Sequence, residues 1–436
     1  MLSSSLVAAP ASRLAERAAD VLTRLDAWLQ TMRAPGGYAG PISHWWESCL
    51  LYCGPMIDWR YEGLLSAYVT LAEHGGSPLW LARARAAADD VLAGQLPGGT
   101  FRNSSFQYGP IEGGTPHEAA VDVGLLELAR LLRAAGDPDW QRYLAAAERN
   151  IRQYLLGMLW SPAGFMEQPW DKTPVPNKNA TAMEALLLFE ELTGQEMSCY
   201  IEAALRVILG AQLRGGPRDG ATVHLGTGRW QLAIGIYTAR SMAAVLRYCE
   251  RHARAELLDA AARAIAFLNR QLTSRGTIFG HYRDGRPITN PRWIAPSGDI
   301  LRIAVMGARY GLTPPSMIEA LVDLLAAGQL PSGGISTAYG FAHRGSERPY
   351  TGLPDFRDLL PVVGWCDKAL RGLALVAAPA RPAPGAITGD VTRPCTWKGR
   401  RCVFYEDAAT IGLEQANGRT LYRWAKGQTW PEIYAL

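Results

Sequence analysis

One short phrase recurs down most of the chain and constrains what it can become. Gly94-Gln95-Leu96-Pro97-Gly98-Gly99-Thr100-Phe101 has later counterparts in Ala211-Gln212-Leu213-Arg214-Gly215-Gly216, in Arg270-Gln271-Leu272 leading to Gly276-Thr277-Ile278-Phe279, and in Gly328-Gln329-Leu330-Pro331-Ser332-Gly333-Gly334-Ile335. Two looser copies, Thr31-Met32-Arg33-Ala34-Pro35-Gly36-Gly37-Tyr38 and Gly157-Met158-Leu159-Trp160-Ser161-Pro162-Ala163-Gly164-Phe165, carry Met where the others carry Gln. Between the marks Met32, Gln95, Met158, Gln212, Gln271 and Gln329 the steps are about 63, 63, 54, 59 and 58 residues. Length alone would allow 436 residues two or three domains, but a period running through most of the chain implies one large domain built from six copies of a unit.

Each interval holds two amphipathic helical segments. The first segment, about Ser12 to Met32, sets Leu14, Ala18, Val21, Leu25 and Leu29 at helical spacing behind Ser12 as a cap. Every second helix, about Trp59–His74, Glu118–Ala135, Asn179–Leu192, Trp230–His252, Gly298–Tyr310 and Leu359–Val376, is entered through a long loop and left through a short turn built on Gly or Pro. Twelve helices in six hairpins close naturally as an all-α (α/α)6 toroid, six inner helices ringed by six outer ones. The long loops then gather on one face, together with inner-helix N-termini whose free N–H groups favour acceptors and anions. The Gln95–Phe101 phrase ends an outer helix and starts a loop towards that face, where function is expected. The toroid is assigned to residues 1–378 and a Pro/Ala-rich linker to 379–394. Residues 395–436, with strand-like alternation and a hairpin signal at Asn417-Gly418, form a small β-rich appendage.

Composition narrows the classes. With 48% hydrophobic and 19% charged residues and a net charge of +4, the chain reads as globular, and its scattered Arg residues form no nucleic-acid stripe. No run approaches the ~20 apolar residues of a membrane span. The N-terminus lacks a basic segment before its short apolar run, so a cytoplasmic protein without a secretory signal is expected. Seven cysteines, Cys49, Cys53, Cys199, Cys249, Cys366, Cys395 and Cys402, show no paired spacing, which argues against a disulfide framework or a zinc site. No metal or other cofactor is expected, and the oligomeric state is not legible.

The six-hairpin pattern, with Gln-Leu followed by Gly-Gly and an aromatic or aliphatic residue, resembles the (α/α)6 superfamilies over about Ser12 to Val376. One branch holds six-hairpin glycosidases, unsaturated uronyl hydrolases, sugar epimerases and toroidal polysaccharide lyases; the other holds terpenoid cyclases and prenyltransferase β-subunits. The resemblance is architectural and carries no active-site residues with it. Against the second branch, there is no Asp-x-Asp-Asp motif, the pair Asp89-Asp90 lacks a third Asp, and no Cys/His zinc pairing stands at inner-helix starts.

The long loops and first turns of inner helices hold Trp45, Trp46, Trp59, Phe101, Phe106, Tyr108, Trp170, Trp230, Tyr282, Trp293 and Tyr339. Such aromatics either plug a ring or offer flat faces to sugars. Cleaving a glycosidic bond generally takes two carboxylates across it. Four clusters qualify: Asp58 with Glu62; Glu112 with His117, Glu118 and Asp122; Glu167, Trp170 and Asp171, followed by Asn177 and Asn179, which read as caps rather than ligands; and Asp299 with Arg302 one turn on. Glu118 could equally serve the helix dipole and Asp122 could be a buried acid, whose apolar surround would raise its pKa and suit a general acid. A lyase would instead draw on His224, on His281-Tyr282-Arg283, and on Tyr339, His343, Arg344, Arg348 and Tyr350. The expected function is hydrolysis of a glycosidic bond in an acidic, uronate-containing saccharide. The alternatives are a polysaccharide lyase, a terpenoid or isoprenoid enzyme, and a non-catalytic binding or scaffold protein.

Overall fold

A computed structural model describes residues 8–41, 50–74, 77–104, 116–224, 232–252, 254–346, 348, 350–377 and 389–434, with side chains from residue 13. The helices are α1 (Ala8–Thr31), α2 (Arg60–Glu73), α3 (Pro78–Gly94), α4 (Ala119–Ala134), α5 (Trp140–Asn150), α6 (Pro176–Thr193), α7 (Ser198–Gly210), α8 (Gly235–Cys249), α9 (Ala255–Arg270), α10 (Gly298–Ala308), α11 (Pro315–Gly328), the single turn α12 (Phe356–Leu359) and α13 (Val363–Ala374). Burial separates two classes. Outer helices bury one stripe, as α9 does with Leu257, Ala260, Ala261, Ala264, Ile265 and Leu268. Inner helices are buried nearly all round, as α6 is from Pro176 to Phe189, because neighbours cover both flanks and the outer helices cover the back. The inner ring runs α2, α4, α6, α8, α10, α13 and back to α2, while α1 packs on α11 and α13.

The recurring phrase has one physical job. The Gln95 amide donates to Gly99 O (3.2 Å) in its own turn and to Ala146 O (2.8 Å) on the next outer helix. Gln212 does the same to Gly220 O and Ala260 O, and Gln329 to Gly333 O and Val21 O. Each side chain thus staples its turn to the neighbouring hairpin. The turn glycine must be glycine: Gly333 has φ +93°, and a Cβ there would sit 2.3 Å from Arg24 O. Copies without the pattern differ physically. Gln271 bonds back into its own helix at Phe267 O, and Met158 is half-exposed at the end of a π-helical segment, Ile151–Leu159.

Three features depart from the expected elements. The loop 273–297 contains an antiparallel hairpin, Gly276–His281 with Pro287–Trp293, inside a small rim sheet; its short strands carry Pro and Gly, which read as loop signals. The last inner helix starts at Val363 rather than Leu359, because Pro361 holds Leu360 extended (ψ 116°) and leaves Asp355 and Asp358 to cap a separate turn. The first strand of the C-terminal sheet begins at Val391, inside the stretch read as linker, whose residues 378–388 lie outside the described residues.

That sheet is a five-stranded antiparallel meander from Val391 to Ile433. It is seated on the ring through Glu406, which accepts from the Trp28 indole (2.7 Å), the Ser332 hydroxyl (2.8 Å) and the Lys426 ammonium (3.0 Å). Phe356 meets Trp397, Phe404 and Tyr422 beside it.

Candidate functional site at the ring mouth and axis

The inner helices send a column of charged side chains into the ring axis. Glu62 of α2 meets Arg240 of α8 (2.5 Å) and Arg371 of α13 (2.6 Å), with Lys368 at 3.6 Å. Glu184 of α6 pairs with Arg302 of α10 and lies 3.4 Å from Arg371, while Glu127 of α4 takes Arg247 at 2.9 Å. These groups are 8% exposed or less apart from Arg247, at 15%, so each charge needs its partners. Burial alone would push Glu62 up, but Arg240, Arg371, Lys368 and Arg302 outweigh it and hold Glu62 well below the usual range. Glu184 is held at about 2, burial being outweighed by Arg302, Arg371 and Arg247.

At the N-terminal ends of the inner helices this column meets the mouth. His117, in the 3-10 turn before α4, faces the Trp59 ring (5.9 Å between centroids). The Lys368 ammonium lies 4.9 Å over that same indole and donates to Trp59 O. His224 stacks at 4.4 Å on Tyr237 of α8, one turn before Arg240, and its Nδ1 bonds the Asn177 side chain at 3.1 Å. Both imidazoles are held uncharged: burial and then Arg240, Lys178 and Lys368 push His117 well below its ordinary value, and burial with Lys178 takes His224 to about 3. Asp299, in the first turn of α10, goes the other way. Burial raises it, helped by Glu62, against the pull of Lys368, Arg240 and Arg302. His117, Asp299 and Glu62 therefore share two cationic neighbours, Arg240 and Lys368.

Other expected site residues are placed elsewhere. Glu118 and Asp122 do share a helix face, but at roughly 100° per residue they lie across the helix from Glu127, which faces the axis. Glu118 accepts from Ser104 and from Asn150 of outer helix α5. Asp122 is fully buried, neither carboxylate oxygen has a hydrogen-bond partner among the described residues, and burial with Glu118 raises it well above the usual range. Asp58 is buried against Arg60, at 2.7 Å, whereas Glu62 pairs with Arg240 and Arg371. Trp293 is fully buried between Trp365, Phe341 and Phe279 and is core. Glu167 pairs with Lys178. Asp171 caps its own turn at Thr173 N, and Trp170 is 81% exposed beside it. Asn179 clamps the Phe165 main chain at both N and O, and no side-chain cap is made by either Asn.

The three histidines offered for a lyase, His224, His281 and His343, share no partner among the described residues. His281 packs on Phe267 and His343 on Tyr350, away from the His224–Tyr237 pair. Tyr282 donates to Gly345 O, Tyr339 receives Arg275, and Arg348 is exposed, with its carbonyl held by Asn290. Trp45, Trp46, Phe106, Tyr108, Glu112 and Trp230 lie outside the described residues. Sequence reasoning missed Glu127, Glu184, Arg240, Arg247, Lys368 and Arg371. A signal existed, since Arg240 and Arg247 recur at i, i+7 and Lys368 and Arg371 at i, i+3 within otherwise apolar or small stretches. Among the described residues no group of three or more His, Cys, Asp or Glu could hold a metal ion, and no helix is long and apolar enough to cross a membrane.

No family model and no curated protein matches the chain. Solved structures do. A sugar epimerase from a ruminal bacterium superposes with a TM-score of 0.60 at 12% identity, covering 84% of this chain and 98% of the other. An unsaturated glucuronyl hydrolase specific for heparin gives 0.58 at 12%, covering 84% and 96%. Cellobiose 2-epimerase from Spirochaeta thermophila DSM 6192 gives 0.58 at 14%, covering 86% and 99%. At these identities the likeness is one of fold alone: the chain has the (α/α)6 toroid fold.

Proposed function

We propose that this chain is a carbohydrate-active enzyme that takes an acidic saccharide at the ring mouth and hydrolyses a glycosidic bond in it. The observation that carries the reading is the charge set at the mouth: three cations, Arg240, Lys178 and Lys368, act on His117 against one anion, Glu62, a surround that suits a uronate. Asp299, biased towards its protonated form by burial, donates the proton to the leaving oxygen. The uncharged His117 accepts a proton from the attacking water. Their surroundings shift the two in opposite directions, Asp299 up and His117 down, which favours a protonated acid and an uncharged base. The solved structures of the same fold that act on sugars support the class of substrate.

A second reading, elimination by a lyase, is favoured by one observation. The half-buried His224 and Tyr237 stand ring to ring beside Lys178 and Arg240, a base and a phenol suited to move a proton next to a uronate. Product analysis on a panel of neutral and uronate oligosaccharides separates the two. Hydrolysis adds one water to the products, whereas elimination leaves an unsaturated product that absorbs in the ultraviolet. With hydrolysis, Asp299→Asn lowers kcat at least ~100-fold with KM nearly unchanged. Full activity in that variant, or turnover of neutral sugars alone, would show the reading wrong.

A further inference from the structure

At the opposite end of the ring, between the C-terminal halves of the inner helices, lies a cavity of ≈280 Å³. We propose that it is a second ligand site, which binds a small oxyanion compound bearing phosphate or carboxylate groups. Five arginines line it, Arg130, Arg247, Arg302, Arg309 and Arg371, against three glutamates, Glu73, Glu127 and Glu250. Each of those glutamates is already engaged: Glu73 by Arg130 (3.1 Å), Glu127 by Arg247 (2.9 Å) and Glu250 by Arg309 (3.3 Å). On the floor stand Arg302 and Arg371, both under 5% exposed; they share Glu184 from the axis side, and Arg371 also holds Glu62 at 2.6 Å.

Two adjoining guanidiniums repel. Burial and then Arg371 depress Arg302 more than Glu184 supports it. The Arg302 Nη1 group is buried with no hydrogen-bond partner among the described residues, a cost that an oxyanion in the cavity would remove. Helix C-terminal ends also point here, and their partial negative charge accounts for basic residues in last turns, such as Arg247 and Arg371. It does not account for Arg302, which stands well inside α10. The volume sits at the small end of ligand pockets, so a compact anion fits and a polymer does not. The proposal does not rest on the mouth chemistry, although Arg302 of the floor also acts on Asp299.

Calorimetric titration of the full chain with inorganic phosphate and with citrate, at ionic strength held constant by chloride, tests the proposal. Saturable binding of one equivalent is expected, with a rise in Tm that follows occupancy. The double variant Arg130→Ser/Arg309→Ser alters only rim residues and should weaken that affinity at least ~10-fold, whereas His224→Ala, at the mouth, should leave it unchanged. Non-saturable heats, equal affinity in the rim variant, or loss of binding in His224→Ala would each overturn it.

Discussion

The Gln329 side chain donates to the main-chain carbonyl of Val21 at 2.9 Å, joining the last outer helix to the first. Its second bond, to Gly333 O, fixes the turn that leads into the following loop. Replacing Gln329 by Met, the residue found at the looser marks, keeps the bulk and deletes both bonds. A loss of about 1–3 kcal/mol is expected, read as a lower denaturation midpoint. Gln271→Met removes a bond within one helix only and should cost less; equal losses would refute the stapling role.

The turn glycines make a sharper contrast. Gly333→Ala drives a Cβ to within 2.3 Å of Arg24 O at a positive φ, whereas Gly98→Ala meets nothing within 4 Å. The first should cost at least ~2 kcal/mol and the second should be near neutral. Thermal melts of the two variants side by side check this.

The axial ion pairs predict acid sensitivity. Glu62, Glu127 and Glu184 all have depressed folded-state pKa values, so their contribution is present above the unfolded value near 4.5 and is lost as pH falls through the folded values. Stability should drop below about pH 4.5. Glu62→Gln strips one charge from a site holding three cations and should cost about 3–5 kcal/mol at pH 7. Urea titrations across pH 3–7 would reveal a flat profile if the column were unimportant.

Asp122 has the opposite sign. Its pKa is raised in the fold, so stability is intact below the unfolded value near 3.8 and is lost as pH rises through the folded value. Asp122→Asn should therefore match the parent at pH 3 and exceed it in stability at pH 7 and above, while leaving catalysis intact. A less stable variant at pH 8 would contradict this.

Glu406 makes the appendage and the ring one unit. Glu406→Ala strands the Trp28 indole, the Ser332 hydroxyl and Lys426, at a cost of about 2–4 kcal/mol. Calorimetry should still show a single transition for ring and sheet together; two separate transitions in the parent protein would mean that the sheet folds apart from it.

The ring was legible because its staple is local: a Gln, the glycines four to eight residues on, and the end of one helix repeat together, as Gln95, Gln212 and Gln329 show. The axial column was not. Glu62, Glu127, Glu184, Arg240, Arg302 and Arg371 come from six different helices, and a lone charge on a helix ordinarily marks a solvated face. Glu118 and Asp122 show the reverse case. Their shared face is real, but which way a face turns is set by tertiary packing around α4, where Glu127 takes the axis. Asp58 misled similarly, since its partner Arg60 lies two residues away and only the non-helical backbone before α2 lets them meet.

The seam between α11 and α1 joins residues 308 positions apart, and this orders events during synthesis. As the chain leaves the ribosome, five hairpins can stack on one another in turn, but α1 has no lateral neighbour on its open side until α11 and α13 emerge. Until then Trp28 and Val21 wait without the sheet and helix that cover them. Closing the circle is thus a late, long-range step, and the first hairpin is the part of the nascent protein most in need of protection.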